Sequence, residues 1–202
     1  ATEQYRTLSA DLSNMPFSFV YDSRKYQGFS PEHFTLISKD IIRSDGKETQ
    51  TFRFLFLHTL EVTLILTHYV SHGITEWTVW LENTSDKSSG VIQELKAELS
   101  FEGKNPVLKG ILGDHINQYH PYSIDLHQAP AEFSSDSGRA THVNFPYFNL
   151  EYGDGGAMLA IGWAGTWKAS FSSIGDMTTY TASSVNGLKT YLKPGEKIRT
   201  AL

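Results

Sequence analysis

Leu60-Glu61-Val62-Thr63-Leu64-Ile65-Leu66-Thr67-His68-Tyr69-Val70 is the stretch that decides the fold class. Leu60, Val62, Leu64, Leu66 and Val70 fall on one face, and Glu61, Thr63, Thr67 and Tyr69 fall mainly on the other. A period of two is the signature of a half-buried strand, because successive side chains point to opposite faces of a sheet. The runs on either side repeat it. Phe52, Phe54 and Phe56 alternate around Arg53, and Trp77, Val79 and Leu81 alternate with Glu76, Thr78 and Glu82. Much later, Trp167, Ala169 and Phe171 alternate with Thr166, Lys168 and Ser170.

Turn chemistry separates the runs. Asp45-Gly46 divides Phe34–Ile42 from Gln50–Leu57. Gly153-Asp154-Gly155-Gly156 divides Phe145–Tyr152 from Ala157–Ala164, and Asn186-Gly187 divides Thr178–Ser183 from Leu188–Leu192. Each supplies the positive φ that tight hairpin loops need. Val91–Phe101 fits a strand or a short helix, and its neighbours favour the strand. Leu8–Asn14 reads as a short helix. Gly113–Arg139 reads as long loops with one strand near Tyr122–Leu126. Roughly fourteen candidate strands run from near Pro16 to Thr200. They predict an all-β fold, one large two-sheet antiparallel sandwich over residues 1–202.

Composition bounds the function. The chain has 202 residues and no Cys, so the core must hold the fold without disulfides. Cys-free chains suit a bacterial cytoplasm and a periplasm alike, which leaves the compartment open. A formal charge of −5 and no run of basic residues argue against nucleic acid as a partner. No apolar stretch approaches the ~20 residues that span a bilayer. Aromatic residues make up 13 % of the chain, which serves cross-strand packing and sugar faces equally well.

Complete catalytic machinery is not visible. His68-x-x-x-His72 has metal-like spacing but sits where a strand ends at Gly73, without a third ligand in frame, so no metal is expected. Glycoside hydrolysis needs two carboxyls ~5–9.5 Å apart. Asp114, Asp125, Asp136 and Asp154 are loop acids that no motif pairs. Gly-x-Ser-x-Gly is absent. Gly153-Asp154-Gly155-Gly156 precedes a strand, not a helix, so it is no dinucleotide fingerprint; no cofactor is expected. Trp163 and Trp167 flank Ala164-Gly165-Thr166, and both share faces with apolar neighbours, as core residues do. Trp80 sits opposite the core face and is either covered by a second layer or exposed.

Three stretches carry a specific resemblance. They are Glu76-Trp77-Thr78-Val79-Trp80-Leu81-Glu82-Asn83-Thr84; the run from Ser137-Gly138-Arg139 through Phe145-Pro146-Tyr147-Phe148-Asn149-Leu150-Glu151 to Ala160-Ile161-Gly162-Trp163-Ala164-Gly165-Thr166-Trp167; and Leu192-Lys193-Pro194-Gly195-Glu196-Lys197-Ile198-Arg199-Thr200. In this order they resemble the N-terminal domain of family 36 glycoside hydrolases, which include many microbial α-galactosidases. The resemblance implies a β-supersandwich of the galactose-mutarotase-like kind. It also implies a C-terminal (β/α)₈ catalytic barrel in the same polypeptide, a unit of about 250 residues that is absent from this chain. It implies a non-catalytic module that supports the barrel, the rim of its active site and homo-oligomers. Loops of such modules wall the substrate pocket. The matching candidates for contact with galactosides are Asp114, His115, Tyr119, Tyr122 and Arg139, with Trp80 added for its aromatic face. Ala140-Thr141 stands where the family often has serines. The alternative is a stand-alone galactoside-binding protein using Trp80, Tyr119 and Arg139. A sugar mutarotase or lyase would instead need His115 with Asp114.

Overall fold

The alternating stretch is strand β5 (Leu60–Tyr69). Leu60, Val62, Leu64 and Leu66 are fully buried, each contributing roughly 1.5–3 kcal/mol of transfer free energy. Strands β4 (Lys47–Phe56) and β6 (Ile74–Asn83) flank it. Their registers set Phe52 opposite Leu64, and Leu64 opposite Val79. The three apolar rows therefore merge into one core face. Val70 does not extend that face. The strand ends at Tyr69, and Val70 enters the turn toward Gly73, 59 % exposed.

This computed structural model describes residues 2–201, with side chains from Tyr5 onward. Its sixteen strands form three antiparallel sheets, none closed into a barrel, so the fold is an all-β sandwich. Hydrogen bonding thus yields three sheets where the period-two pattern suggested two. The chain divides into two compact units, residues 1–93 with 189–202, and residues 94–188.

The first unit carries a five-stranded sheet in the order β16 (Lys197–Arg199), β6, β5, β4, β3 (Phe34–Ser44). Hairpin β1–β2 (Ser18–Tyr21, Arg24–Gln27) also lies in the first unit, outside that five-stranded sheet. Asp45 and Gly46, at φ 51° and 74°, make the β3–β4 turn. The N-terminal helix α1 (Thr2–Ala10) begins before the expected Leu8. It breaks at Asp11, whose carboxylate accepts the Ser13 N–H and starts a separate 3₁₀ turn, Leu12–Asn14.

The second unit is entered along β7 (Ile92–Glu102), the strand reading of the ambiguous segment. One of its sheets runs β10 (Ala131–Ser135), β13 (Trp167–Ile174), β14 (Met177–Ser183), β7. The other runs β12 (Gly155–Ala160), β11 (Asn144–Tyr152), β8 (Val107–Leu112), β9 (Pro121–Asp125). Two sequence expectations fail in this part of the chain. Asn186-Gly187 does not close a hairpin, because β14 and β15 (Lys189–Thr190) both pair with β7, one after the other along it. The 113–139 region holds two strands, not one. β10 was missed because it spans five residues and one of its inward positions is a serine, Ser135, wholly buried beside Ala131 and Phe133.

Candidate functional site

Two loops of the second unit meet at Gly113. Its N–H donates to the Val143 carbonyl (2.8 Å), and the Asp114 N–H donates to the Thr141 carbonyl (2.7 Å). A Cβ on Gly113 would lie 2.1 Å from that Thr141 oxygen, so only glycine permits the approach. The second loop is tied down at two further points. Ser135 Oγ donates to the Arg139 carbonyl, and the indole N–H of buried Trp167 donates to the Ala140 carbonyl (2.7 Å).

These ties bring charged groups together. Arg139 Nη2 lies 3.1 Å from Asp114 Oδ1, and Thr141 Oγ1 donates to Asp114 Oδ2 (2.8 Å). The same guanidinium nitrogen donates to His142 Nδ1 (2.8 Å), and the His142 ring stacks on His115 at 4.3 Å. Asp114 Oδ2 thus accepts a hydrogen bond, whereas Oδ1 is buried without one and faces Arg139 only as an ion pair. Arg139 is more than half exposed, while Asp114 is largely covered. Tyr119 lies at the far end of the first loop in a left-handed backbone conformation, φ 57°, with its side chain 53 % exposed.

Of the sequence candidates, Asp114, His115 and Arg139 thus share one cluster, and Tyr119 lies on the same loop as the first two. Tyr122 has other surroundings. Its ring stacks on Phe133 at 5.0 Å, and its buried hydroxyl sits against Gly110, where a Cβ would be 2.2 Å away. Burial pushes that hydroxyl up to about 12. Trp80 belongs to the first unit, where it is cross-strand partner to Arg199 and has Lys197 Nζ 5.5 Å from its ring centre. Trp167 is a core residue as read, but Trp163 is 40 % exposed. The chain leaves β12 at Ala160, and Trp163 follows outside any strand, so alternation no longer fixes its direction.

Sequence reasoning missed Thr141, His142, Phe145 and Tyr147. A signal existed for the last two. Pro146 lies within strand β11, and proline in a strand marks an edge or a bulge. The register of β11 against β8 does shift between Asn144 and Phe148. The bulge leaves Pro146 and Phe148 buried and turns Phe145 and Tyr147 outward. Tyr119 meets Phe145 edge-on at 6.4 Å, and Phe145 lies 5.3 Å from Tyr147.

The acids elsewhere have local partners. Asp125 accepts from the His127 N–H and the Gln128 amide, which closes its own turn. Asp154 occupies the β11–β12 turn. Glu48 accepts from the Tyr5 hydroxyl, the Gln50 amide and Arg43, and these bonds hold its carboxyl down at about 2. That is the wrong direction for a general acid, which must keep its proton near neutrality. His68 and His72 diverge. His68 is buried with Tyr5 stacked on it at 4.6 Å, whereas His72 is exposed in the turn beside Ser71.

Comparison with solved structures gives this fold a counterpart. The galactosidase domain of the α-galactosidase–sucrose kinase AgaSK superposes with a TM-score of 0.68 at 14 % identity, covering 93 % of this chain and 29 % of that one. The family 36 α-galactosidase AgaB of Geobacillus stearothermophilus gives 0.69 at 12 % identity, over 92 % of this chain and 28 % of its own. The α-galactosidase of Lactobacillus brevis gives 0.65 at 13 % identity over the same shares. The fold is that of a segment of these α-galactosidases. No family model and no curated protein matches the sequence. The chain spans less than a third of the length of the structures it resembles.

Proposed function

We propose that residues 1–202 act as one non-catalytic N-terminal module of an α-galactosidase-like glycoside hydrolase. In this reading a (β/α)₈ barrel of the same polypeptide carries the catalytic carboxylates and acts on galactosides. The module supports that barrel, contributes to the rim of its active site and offers surface for homo-oligomers. The supporting observation is the asymmetry of the fold match. Nearly all of this chain is used, and more than two-thirds of each matched enzyme is left over. The state of the acids agrees with it. Asp114 is committed to Arg139 and Thr141, and Glu48 is locked as a carboxylate. On the rim, Arg139, more than half exposed and held by Asp114 and His142, supplies the contact on the sugar side.

Reading the source gene past the codon for Leu202 tests the proposal. The expected result is an open frame of several hundred codons that encodes a barrel, with the full-length product hydrolysing a nitrophenyl α-galactoside and the 202-residue chain not. An immediate stop codon would overturn it, and saturable galactoside binding by the 202-residue chain would then become the reading to pursue.

A further inference from the structure

The outer face of the β12-β11-β8-β9 sheet is polar at one end and apolar at the other. At the polar end, Lys109 and Glu151 pair at 2.7 Å across β8 and β11. At the other end the bulge in β11 turns out Phe145 and Tyr147, and Tyr119 adds a ring against Phe145. Tyr147 is cross-strand partner of Ala160, and Met158 lies two residues along β12 on the same face, 83 % exposed.

Tyr, Trp, Phe and Met are the residue types that enrich the buried centres of protein–protein contacts. Contiguous exposed apolar surface of this kind marks a contact. The polar groups beside it decide which kind. A saccharide site keeps its carboxylate open to hydroxyls. Here Asp114 is largely covered, with Oδ2 bonded to Thr141 and the buried Oδ1 paired with Arg139. Tyr119, Tyr147 and Met158 stay exposed while the carboxylate nearby is turned inward, as suits a face covered by protein. The fold match supplies the occupant, because the enzymes sharing this fold carry more than twice as much chain again. We propose that the face formed by Tyr119, Phe145, Tyr147 and Met158 is the seat of the catalytic barrel of the same polypeptide. This inference rests on the module reading above.

Hydroxyl-radical footprinting of the full-length protein and of the 202-residue chain tests it. Tyr119, Tyr147 and Met158 should react at least about fivefold more slowly in the full-length protein, as residues do on entering an inter-domain contact. Exposed Ile174 on the β13–β14 turn serves as the reference and should not change. A Tyr147→Ser, Met158→Ser double variant of the full-length protein, checked for unchanged secondary structure, should be cleaved between sandwich and barrel about tenfold faster in limited proteolysis. Equal footprints in the two proteins would overturn the inference. So would protection already present in the 202-residue chain, brought by its self-association or by added galactoside. A gene that encodes no barrel would instead remove the module reading itself, so the two failures are distinguishable.

Discussion

Gly113 and Glu48 show how single residues hold separate parts of this chain. At Gly113 the obstacle to a side chain is backbone, the Thr141 carbonyl, which cannot swing away. Gly113→Ala must therefore part the two loops or bend them, and should cost about 1–3 kcal/mol in urea unfolding, the usual cost of overpacking. An unchanged midpoint would show that the loops yield freely. Glu48 acts through charge. Its carboxyl is held at about 2 against an ordinary 4.5, first by the Tyr5 hydroxyl and then by Gln50 and Arg43. A carboxylate with a depressed folded pKa lends stability that is present above its ordinary value and lost as pH falls through the folded one. Unfolding measured from pH 7 down to about 2 should therefore show a steeper loss in the native chain than in Glu48→Gln, with the difference arising below about pH 5. Parallel curves would contradict this. Tyr5 mirrors the effect at high pH. Burial and the Glu48 bond push its hydroxyl from 10.0 up to about 12, so its contribution is full below 10 and fades as pH rises toward 12.

Trp167 links an element to a loop, since β13 buries its indole while the indole N–H holds Ala140. Trp167→Phe keeps most of the ring but drops that donor, leaving the Ala140 carbonyl without it. A loss of about 1–3 kcal/mol is expected, the cost of an unsatisfied buried group. Faster amide exchange should be confined to residues 136–143, and exchange quickened evenly across β13 would point to lost packing instead. Elements of this size were largely legible in the sequence. Alternation located β4, β5, β6 and β13, because in each one face is buried and the other is largely half-covered. Asp45-Gly46 and Gly153-Asp154 located their hairpins, because positive φ is a local demand. Asn186-Gly187 met the same local demand, yet its strands sought β7, a choice made by pairing partners far apart in sequence. Trp163 and Val70 were misjudged for one reason. Each lies just past a strand end, where the alternation was carried on although the strand was not. Of the site, the acid and base were visible as loop residues, but their pairing depends on Gly113 meeting Thr141 and Val143, about thirty residues away, and nothing local encodes that.

At the scale of the whole molecule, the proposed module would act on chemistry performed by a barrel elsewhere in the polypeptide. A rim residue touches substrate equally in the ground state and the transition state, so its loss is felt as binding. Arg139 is the place to look, because it is more than half exposed and its removal frees Asp114 without opening the core. On the proposed module reading, Arg139→Ala in the full-length protein should raise KM for a galactoside by about three- to tenfold and leave kcat within about twofold, the pattern of lost uniform binding. Arg139→Lys should recover little of this, since a single ammonium cannot reproduce a planar guanidinium held between Asp114 and His142. A fall in kcat at constant KM would mean that the loop acts on the barrel's catalytic geometry and not on the sugar. If neither constant moved in a properly folded variant, the 113–120 and 136–143 loops would lie away from the substrate, and the module's contribution would reduce to holding the barrel.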